Sequence, residues 1–244
     1  MRASRVVQTA LRMIYPPTCL ACDARVETEQ GLCGACWRET RFVTAHPCDA
    51  CGAPLAGDHA EPGELCDDCL RVARPWVAGR TALVYGGTGR RIVLGLKHGD
   101  RLDLMGPAAR WMARAGGDLV QSEMLVTAIP LHWRRRVKRR YNQSVELGRR
   151  VARLLDLDFC PDVLIRPQAT PVLDGKSPAD RLRALDGALV LNAARQGLIA
   201  GRPVLLVDDV MTSGATLSVA SRALTQGGAA NVRVLTLARA VKEA

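Results

Sequence analysis

Residues 204–217, Val-Leu-Leu-Val-Asp-Asp-Val-Met-Thr-Ser-Gly-Ala-Thr-Leu, leave few folds that could hold them. Val204, Leu205, Leu206 and Val207 are consecutive and apolar, whereas a strand with one wet face would alternate polar and apolar positions. Such a run belongs in a parallel sheet covered on both faces, the α/β architecture. Asp208 and Asp209 follow at the carboxyl end of that strand, where open α/β sheets bind their ligands. Thr212, Ser213, Gly214, Ala215 and Thr216 then open a helical pattern carried by Leu217, Val219, Ala220 and Leu224. A helix start presents backbone N–H groups without intrahelical partners, and so attracts anions. Gly214 lets an anion approach the main chain, and the hydroxyls of Thr212, Ser213 and Thr216 add donors.

Paired acids that can bridge vicinal hydroxyls, beside a turn that can cradle a phosphate, suit a ribose 5-phosphate. The segment resembles the PRPP-binding loop of type I phosphoribosyltransferases. That resemblance implies that Asp208 and Asp209 hold the ribose 2′- and 3′-hydroxyls and that residues 212–216 hold the 5′-phosphate. It extends the PRPP contacts to Val210 and Met211 and adds Mg2+ as the accompanying ion. The 6-oxopurine salvage enzymes of that superfamily carry a third Asp where this chain has Thr212, which disfavours hypoxanthine or guanine as an acceptor.

The other strong signal is at the opposite end of the chain. Eight of the nine cysteines form four Cys-x-x-Cys pairs: Cys19/Cys22, Cys33/Cys36, Cys48/Cys51 and Cys66/Cys69. Two intervening residues let both sulfurs of a tight turn face one ion, and two such turns complete a tetrahedral four-cysteine zinc site. Sequential pairing, first pair with second and third with fourth, is the expected one because each half then makes a compact ribbon; an interleaved cross-brace would also yield two sites. Closed coordination by four thiolates leaves no position for a substrate, so both sites read as structural. The segment is poor in large apolar residues, and chelation is expected to melt residues 19–69 while the remainder stays folded. His46 and His59 read as loop residues, and Cys160 as a buried apolar one.

Lys and Arg outnumber Asp and Glu by 34 to 24, a formal charge of +10 that favours anionic partners. With only two Phe, four Trp and three Tyr, a surface that grips single strands by stacking many bases is not evident. No apolar run approaches the roughly 20 residues that span a bilayer. The spacing of Val6, Val7, Ala10, Leu11, Met13 and Ile14 predicts an amphipathic helix and not a signal-peptide core, and a cytoplasmic location is expected.

Further along, residues 71–80 read as a boundary, residues 81–85 as a strand, Gly86, Gly87 and Gly89 as a turn, and residues 91–97 as a helix ending near Lys97. A second helix over 104–115 leads to a strand over 124–129. Six of the eight residues from 133 to 140 are basic: Arg134, Arg135, Arg136, Lys138, Arg139 and Arg140. Such a cluster could bind pyrophosphate or a nucleic-acid backbone, with Trp133 and Tyr141 available for stacking, or form a solvated basic face. A helix over 146–155, a short strand over 163–166, a proline-rich segment over 166–181 and a last strand over 231–238 complete the pattern. Residues 85–100, the Tyr141-Asn142-Gln143 stretch and the four cysteine pairs together resemble the ComF family. In that family a zinc-finger-like N-terminus precedes a phosphoribosyltransferase domain.

The ComF resemblance implies a link to DNA uptake and natural transformation. It places Lys97 and Arg181 beside Asp208 and Asp209 as catalytic candidates, and residues 166–181 as a flexible catalytic loop in which Thr170, Ser177 and Arg181 match. Arg140 stands where the family has Gly, Leu173 where it has Gln, Lys176 where it has Leu, and Ala184 where it has Asn. The expected architecture is therefore α/β, a doubly wound parallel sheet of the type I phosphoribosyltransferase kind over 75–244. It follows a helix and double zinc-ribbon module over 1–72. The expected ligands are two structural Zn2+, and Mg2+ with PRPP or another ribose 5-phosphate. Single-stranded DNA and proteins of the competence machinery are candidate partners, without membrane insertion. Two functions fit: phosphoribosyl transfer to an acceptor the sequence does not reveal, or non-catalytic binding of single-stranded DNA with PRPP only as a ligand.

Overall fold

The computed structural model describes residues 15–57, 63–98, 101–132, 141–167 and 187–241. The expected N-terminal helix, the basic run 133–140 and most of the proline-rich segment, with Thr170, Ser177 and Arg181, lie outside the described residues. A five-stranded sheet organises the molecule. Its strands are β1 (Ala78–Val84), β2 (Leu125–Ala128), β3 (Asp158–Phe159), β6 (Pro203–Met211) and β7 (Asn231–Arg239), in the order β1-β7-β6-β2-β3. All four pairings are parallel. β4 (Leu164–Ile165) and β5 (Val190–Leu191) form a separate antiparallel pair, so the short strand expected near 163–166 is not part of the main sheet.

The apolar run of β6 behaves as its sequence requires. Leu205 and Val207 join a core on one face of the sheet, with Ile92, Leu96, Met112, Leu147 and Val151 from three helices. These helices are α3 (Gly87–His98), α4 (Met105–Ala115) and α5 (Gln143–Leu154). Val204 and Leu206 join the core on the other face, where the short α6 (Gln196–Ile199) contributes Ile199 and α7 (Ala215–Gln226) contributes Leu217, Ala220 and Leu224. Period-two alternation along the strand divides its residues between the two faces. Burial of each such side chain stabilises the fold by about 1.5–3 kcal/mol.

Three boundaries differ from the sequence pattern. Helix α3 begins at Gly87 and not near Arg91: the glycines that read as a turn form its first turn, where Gly89 lies so close to the Val84 carbonyl that a Cβ would be only 2.6 Å from that oxygen. Helix α5 begins at Gln143, three residues before the periodicity, because Asn142 caps it: its Oδ1 accepts from the N–H groups of Ser144 and Val145. Strand β6 runs on to Met211, past both acids, held there by β7 alone.

The cysteine-rich segment is built into this sheet. Residues 41–43 run antiparallel along the free edge of β1, with Val43 N–H donating to Ala82 O at 3.0 Å and Val84 N–H to Arg41 O at 2.8 Å, which covers an exposed strand edge. The turn at Cys48–Gly52 presses against the start of β1. A Cβ on Gly79 would lie 2.4 Å from the Ala50 carbonyl, and one on Gly52 (φ +69°) 2.3 Å from the Thr81 nitrogen, so glycine is required on both sides of the contact. Cys48, Cys51 and Cys69 belong to the same core as Val204, Leu206 and Leu217. Loss of metal from this half is therefore expected to reach the sheet, and not only residues 19–69. No helix among the described residues is long and apolar enough to cross a membrane.

Candidate functional site

β2 leads through α5 outward to β3, while β6 leads through α7 the other way to β7. The crevice between the carboxyl ends of β2 and β6 is thus the point where the winding reverses, the place open α/β sheets use for ligands. Pairing of β6 with β2 ends at Val207↔Ala128, so Asp208 and Asp209 lie just beyond it, with no β2 partner beside them.

Both carboxylates are close to sealed, 9% and 8% exposed. Asp208 Oδ1 accepts from the Ser144 hydroxyl at 2.8 Å and from the Asp209 N–H at 2.9 Å. Lys97 Nζ, in the last turn of α3, lies 3.2 Å from Asp209 Oδ1. Burial, followed by the charge of Asp209, pushes Asp208 up to about 7, against the opposing pull of Ser144, Lys97 and the Asp209 N–H. A buried carboxyl displaced in this way beside a second acid is characteristic of sites that bind or react.

The turn after β6 has the form its sequence predicts. Gly214 caps α7 in the left-handed region at φ +81°, a conformation that side chains other than glycine seldom adopt. The Ser213 hydroxyl accepts from Ala215 N–H at 3.4 Å. Behind the turn stand three residues that sequence reasoning passed over. Arg74 donates to the Ser213 carbonyl at 2.8 Å, and its guanidinium lies over Trp76, 5.7 Å from the ring centroid. Arg239, 2% exposed, donates to the carbonyls of Met211 and Thr212 and pairs with Asp68 at 3.2 Å. Ser144 was also missed. Arg239 has one visible signal, a cation ending a nine-residue strand rich in apolar residues; Arg74 and Trp76 sit in what read as a linker.

Tyr141, Asn142 and Gln143 serve inward contacts here. The Tyr141 hydroxyl and Gln143 Nε2 both donate to the Leu96 carbonyl, at 2.6 and 3.1 Å, and Asn142 Nδ2 donates to the Ile129 carbonyl at 3.0 Å. They dock the start of α5, and with it Ser144, against the end of α3 that carries Lys97. Gln143 is 1% exposed, turned away from solvent.

The eight paired cysteines gather into two groups, Cys19, Cys22, Cys33 and Cys36, and Cys48, Cys51, Cys66 and Cys69, each with all sulfurs within 4.8 Å of one another. This is the sequential pairing. In each half the second pair sits at a short helix, α1 (Gly34–Glu39) or α2 (Asp67–Arg71), with Cys33 or Cys66 as its cap. Sulfurs of Cys22 and Cys33, and of Cys51 and Cys66, are 3.6 Å apart, far beyond a disulfide. A tetrahedral ion with metal–sulfur bonds near 2.3 Å has sulfur–sulfur edges of about 3.8 Å, so both groups fit zinc. Against the burial of Cys19, N–H donors from Cys33, Ala21 and Cys22 lower its thiol to about 6, whereas burial and neighbouring thiols push Cys36 up to about 12. Zinc uptake must therefore expel protons, and affinity is expected to fall as pH drops from about 8 to about 6. Metal analysis of the reduced full chain is expected to return two zinc equivalents, and one in Cys22→Ser; fewer than one in the wild-type chain would exclude the sites. His46 is not part of either group, and Cys160 is buried, its thiol donating to Asp162 at 3.2 Å.

Comparison with known proteins agrees with both halves. Residues 10–70 match the double zinc ribbon domain and residues 142–243 the phosphoribosyl transferase domain. The class is thus a double zinc ribbon joined to a phosphoribosyl transferase domain. The chain belongs to the ComF family, whose members carry competence and DNA-utilization names. DNA utilization protein YhgH of Escherichia coli K12 is 30% identical over 215 residues, covering 86% of this chain and 90% of that one. YhgH of Salmonella typhimurium is 30% identical over 234 residues, 93% and 99% of the two chains. Competence protein F of Haemophilus influenzae is 27% identical over 228 residues, 91% and 96%.

Proposed function

We propose that the protein binds PRPP, or another ribose 5-phosphate, with Mg2+ at the end of β6, and that it transfers the phosphoribosyl group in the service of DNA uptake in the cytoplasm. One observation carries this reading: an acid pair tied to Lys97 and Ser144 stands at the winding reversal, followed at once by a glycine turn that opens a helix. Asp208 and Asp209 would orient the ribose hydroxyls, and the amides of residues 212–216 would receive the 5′-phosphate, where the helix N-terminus favours negative charge. Mg2+ prefers oxygen ligands and keeps substrate phosphates in its shell. The carboxylates of Asp208 and Asp209 are the oxygens this site would offer it, with Lys97 moving from Asp209 toward the substrate's phosphates. The ion's chemistry is to neutralise the departing pyrophosphate. Lys97, and by resemblance Arg181, would share that charge.

Calorimetry of the zinc-loaded chain with PRPP and Mg2+ tests this. Micromolar binding is expected, with pyrophosphate release once an acceptor is supplied, both lost in the Asp208→Asn, Asp209→Asn double variant. No heat with PRPP at millimolar concentration would exclude it.

A second reading is supported by the names of the relatives and by the charge of +10. In it the protein is a competence factor that grips single-stranded DNA through Arg134, Arg135, Arg136, Lys138, Arg139 and Arg140. Salt-dependent DNA affinity that persists in the same double variant, with no turnover of PRPP, would favour it.

A further inference from the structure

The second cysteine group and the turn after β6 are far apart in the chain but share two arginines. Arg74 donates through Nε to the Cys69 sulfur at 3.4 Å and through a terminal nitrogen to the Ser213 carbonyl at 2.8 Å. Arg239 pairs with Asp68, the residue before Cys69, and donates to the carbonyls of Met211 and Thr212; its charge also faces the Cys51 sulfur. Trp76 wedges between the same two regions. Its indole N–H donates to the Ala50 carbonyl, inside the Cys48–Cys51 turn, and a Cβ on Gly214 would meet its ring at 3.3 Å and Arg74 at 2.8 Å. Three consecutive carbonyls, Met211 to Ser213, are thus held from behind by side chains anchored on one group of four cysteines.

We propose that the second metal site, Cys48, Cys51, Cys66 and Cys69, sets the anion-receiving shape of residues 212–216 through Arg74 and Arg239, which act as positioning residues. With a divalent ion the four sulfurs are anionic and fixed, so the guanidinium contacts are charge-assisted and share one rigid anchor. Without it, the Cys66–Cys69 turn loses its covalent tie to the Cys48–Cys51 turn and keeps weaker ones such as the Asp49 N–H to Glu64 carbonyl bond at 2.9 Å, so Arg74 loses its rigid purchase and Ser213 loses Arg74. The first site has a different reach. Its contacts with the domain include Arg91, which lies 3.9 Å from the Cys36 sulfur and bonds to Glu39 and Thr88 at the start of α3, Arg101, 3.6 Å from Asp23, and Arg110, which donates to Gln30; these are not the arginines that donate to the Met211, Thr212 and Ser213 carbonyls. Metal loss from the first site is therefore silent at residues 212–216. The coupling rests on the proposed ligand only for what the turn receives.

Amide hydrogen exchange on the full zinc-loaded chain tests it without any ligand. Because a hydrogen bond to a charged group contributes ~1.5–3 kcal/mol, exchange across 212–216 is expected to speed at least about tenfold in Arg74→Ala, which keeps both zinc equivalents. Cys66→Ser is expected to give the same acceleration, and Cys22→Ser none. The peptide 232–238 of β7 reports whether the fold survives. Adding Arg74→Ala to Cys66→Ser is expected to change nothing more, because both remove one link; independent structural damage would add. Arg74→Lys is expected not to restore protection, since a single ammonium cannot bridge sulfur and carbonyl as the guanidinium does. Exchange at 212–216 that ignores Arg74→Ala, or responds equally to the first site, overturns the coupling. If exchange responds as stated but PRPP gives no heat, the ligand assignment fails and the coupling stands.

Discussion

Truncation of Arg239 to alanine is expected to destabilise the zinc-loaded protein by about 3–5 kcal/mol, the usual cost of removing one member of a buried charged network. The guanidinium is 2% exposed and is the largest fully buried side chain among the described residues. Its removal takes a charged donor from the Met211, Thr212 and Ala240 carbonyls, of which Met211 keeps the Ala240 N–H at 2.9 Å, and takes the ion-pair partner from Asp68. It also opens a hole where the sheet, α2 and the turn after β6 meet. Arg239→Lys is expected to recover only part of the loss, because one ammonium cannot serve carbonyls on several residues and a carboxylate together. Urea unfolding at fixed zinc concentration measures the effect. A loss under about 1 kcal/mol would mean that the network contributes little beyond what water supplies, as exposed ion pairs do.

Asp208→Asn is expected to act in opposite directions on ligand affinity and on stability. The native carboxyl titrates near 7, held up by burial and then by Asp209, against an ordinary value of about 3.9 in the unfolded chain. Between those values the native state binds more protons than the unfolded one. Stability therefore falls as pH rises from about 4 to about 7 and levels off above. Asparagine removes that slope. Its Oδ1 still accepts from Ser144 and from the Asp209 N–H, and its amide has the Asp209 carboxylate beside it. The variant is expected to be more stable at about pH 8 by an amount on the order of 2–4 kcal/mol, and indistinguishable from the parent near pH 4. Affinity for PRPP with Mg2+ is expected to drop roughly 10- to 100-fold, since a charged acceptor for a ribose hydroxyl becomes a neutral one. Melting temperatures from about pH 4 to 8, paired with calorimetry, check both. A stability gain that does not depend on pH would show that Asp208 is already ionised in the native state across that range.

The two predictions share a cause. The residues that shape the end of β6 are buried groups under constraint, and constraint of that kind is commonly kept where it serves binding. Lys97 illustrates how the fold completes what the sequence only hints at. As a lone lysine near a helix end it is indistinguishable from a surface residue, yet the packing of α3 over the sheet brings its ammonium to Asp209. Ser144 is similar: nothing in its neighbourhood marks it until the Asn142 cap and the contacts of Tyr141 and Gln143 with Leu96 set where α5 begins.

What could be read from residue order was chemistry that is local. An unbroken apolar run requires cover on both faces, two acids and a glycine turn follow it within a few residues, and four pairs of thiols at fixed spacing require a tetrahedral ion. Each of these depends on neighbours a few positions away, so the parallel sheet, the acid pair, the turn and the cysteine groups were all legible before any coordinate. What only the tertiary structure decided was distance between residues remote in the chain. The sequential grouping of the cysteines, the reach of Arg74 and Arg239 across 139 and 171 residues to Ser213 and Asp68, and the burial of the second metal group in the core of the sheet follow from packing. No local pattern encodes them, because a charge buried between two elements is tolerable only once both elements are in place to satisfy it.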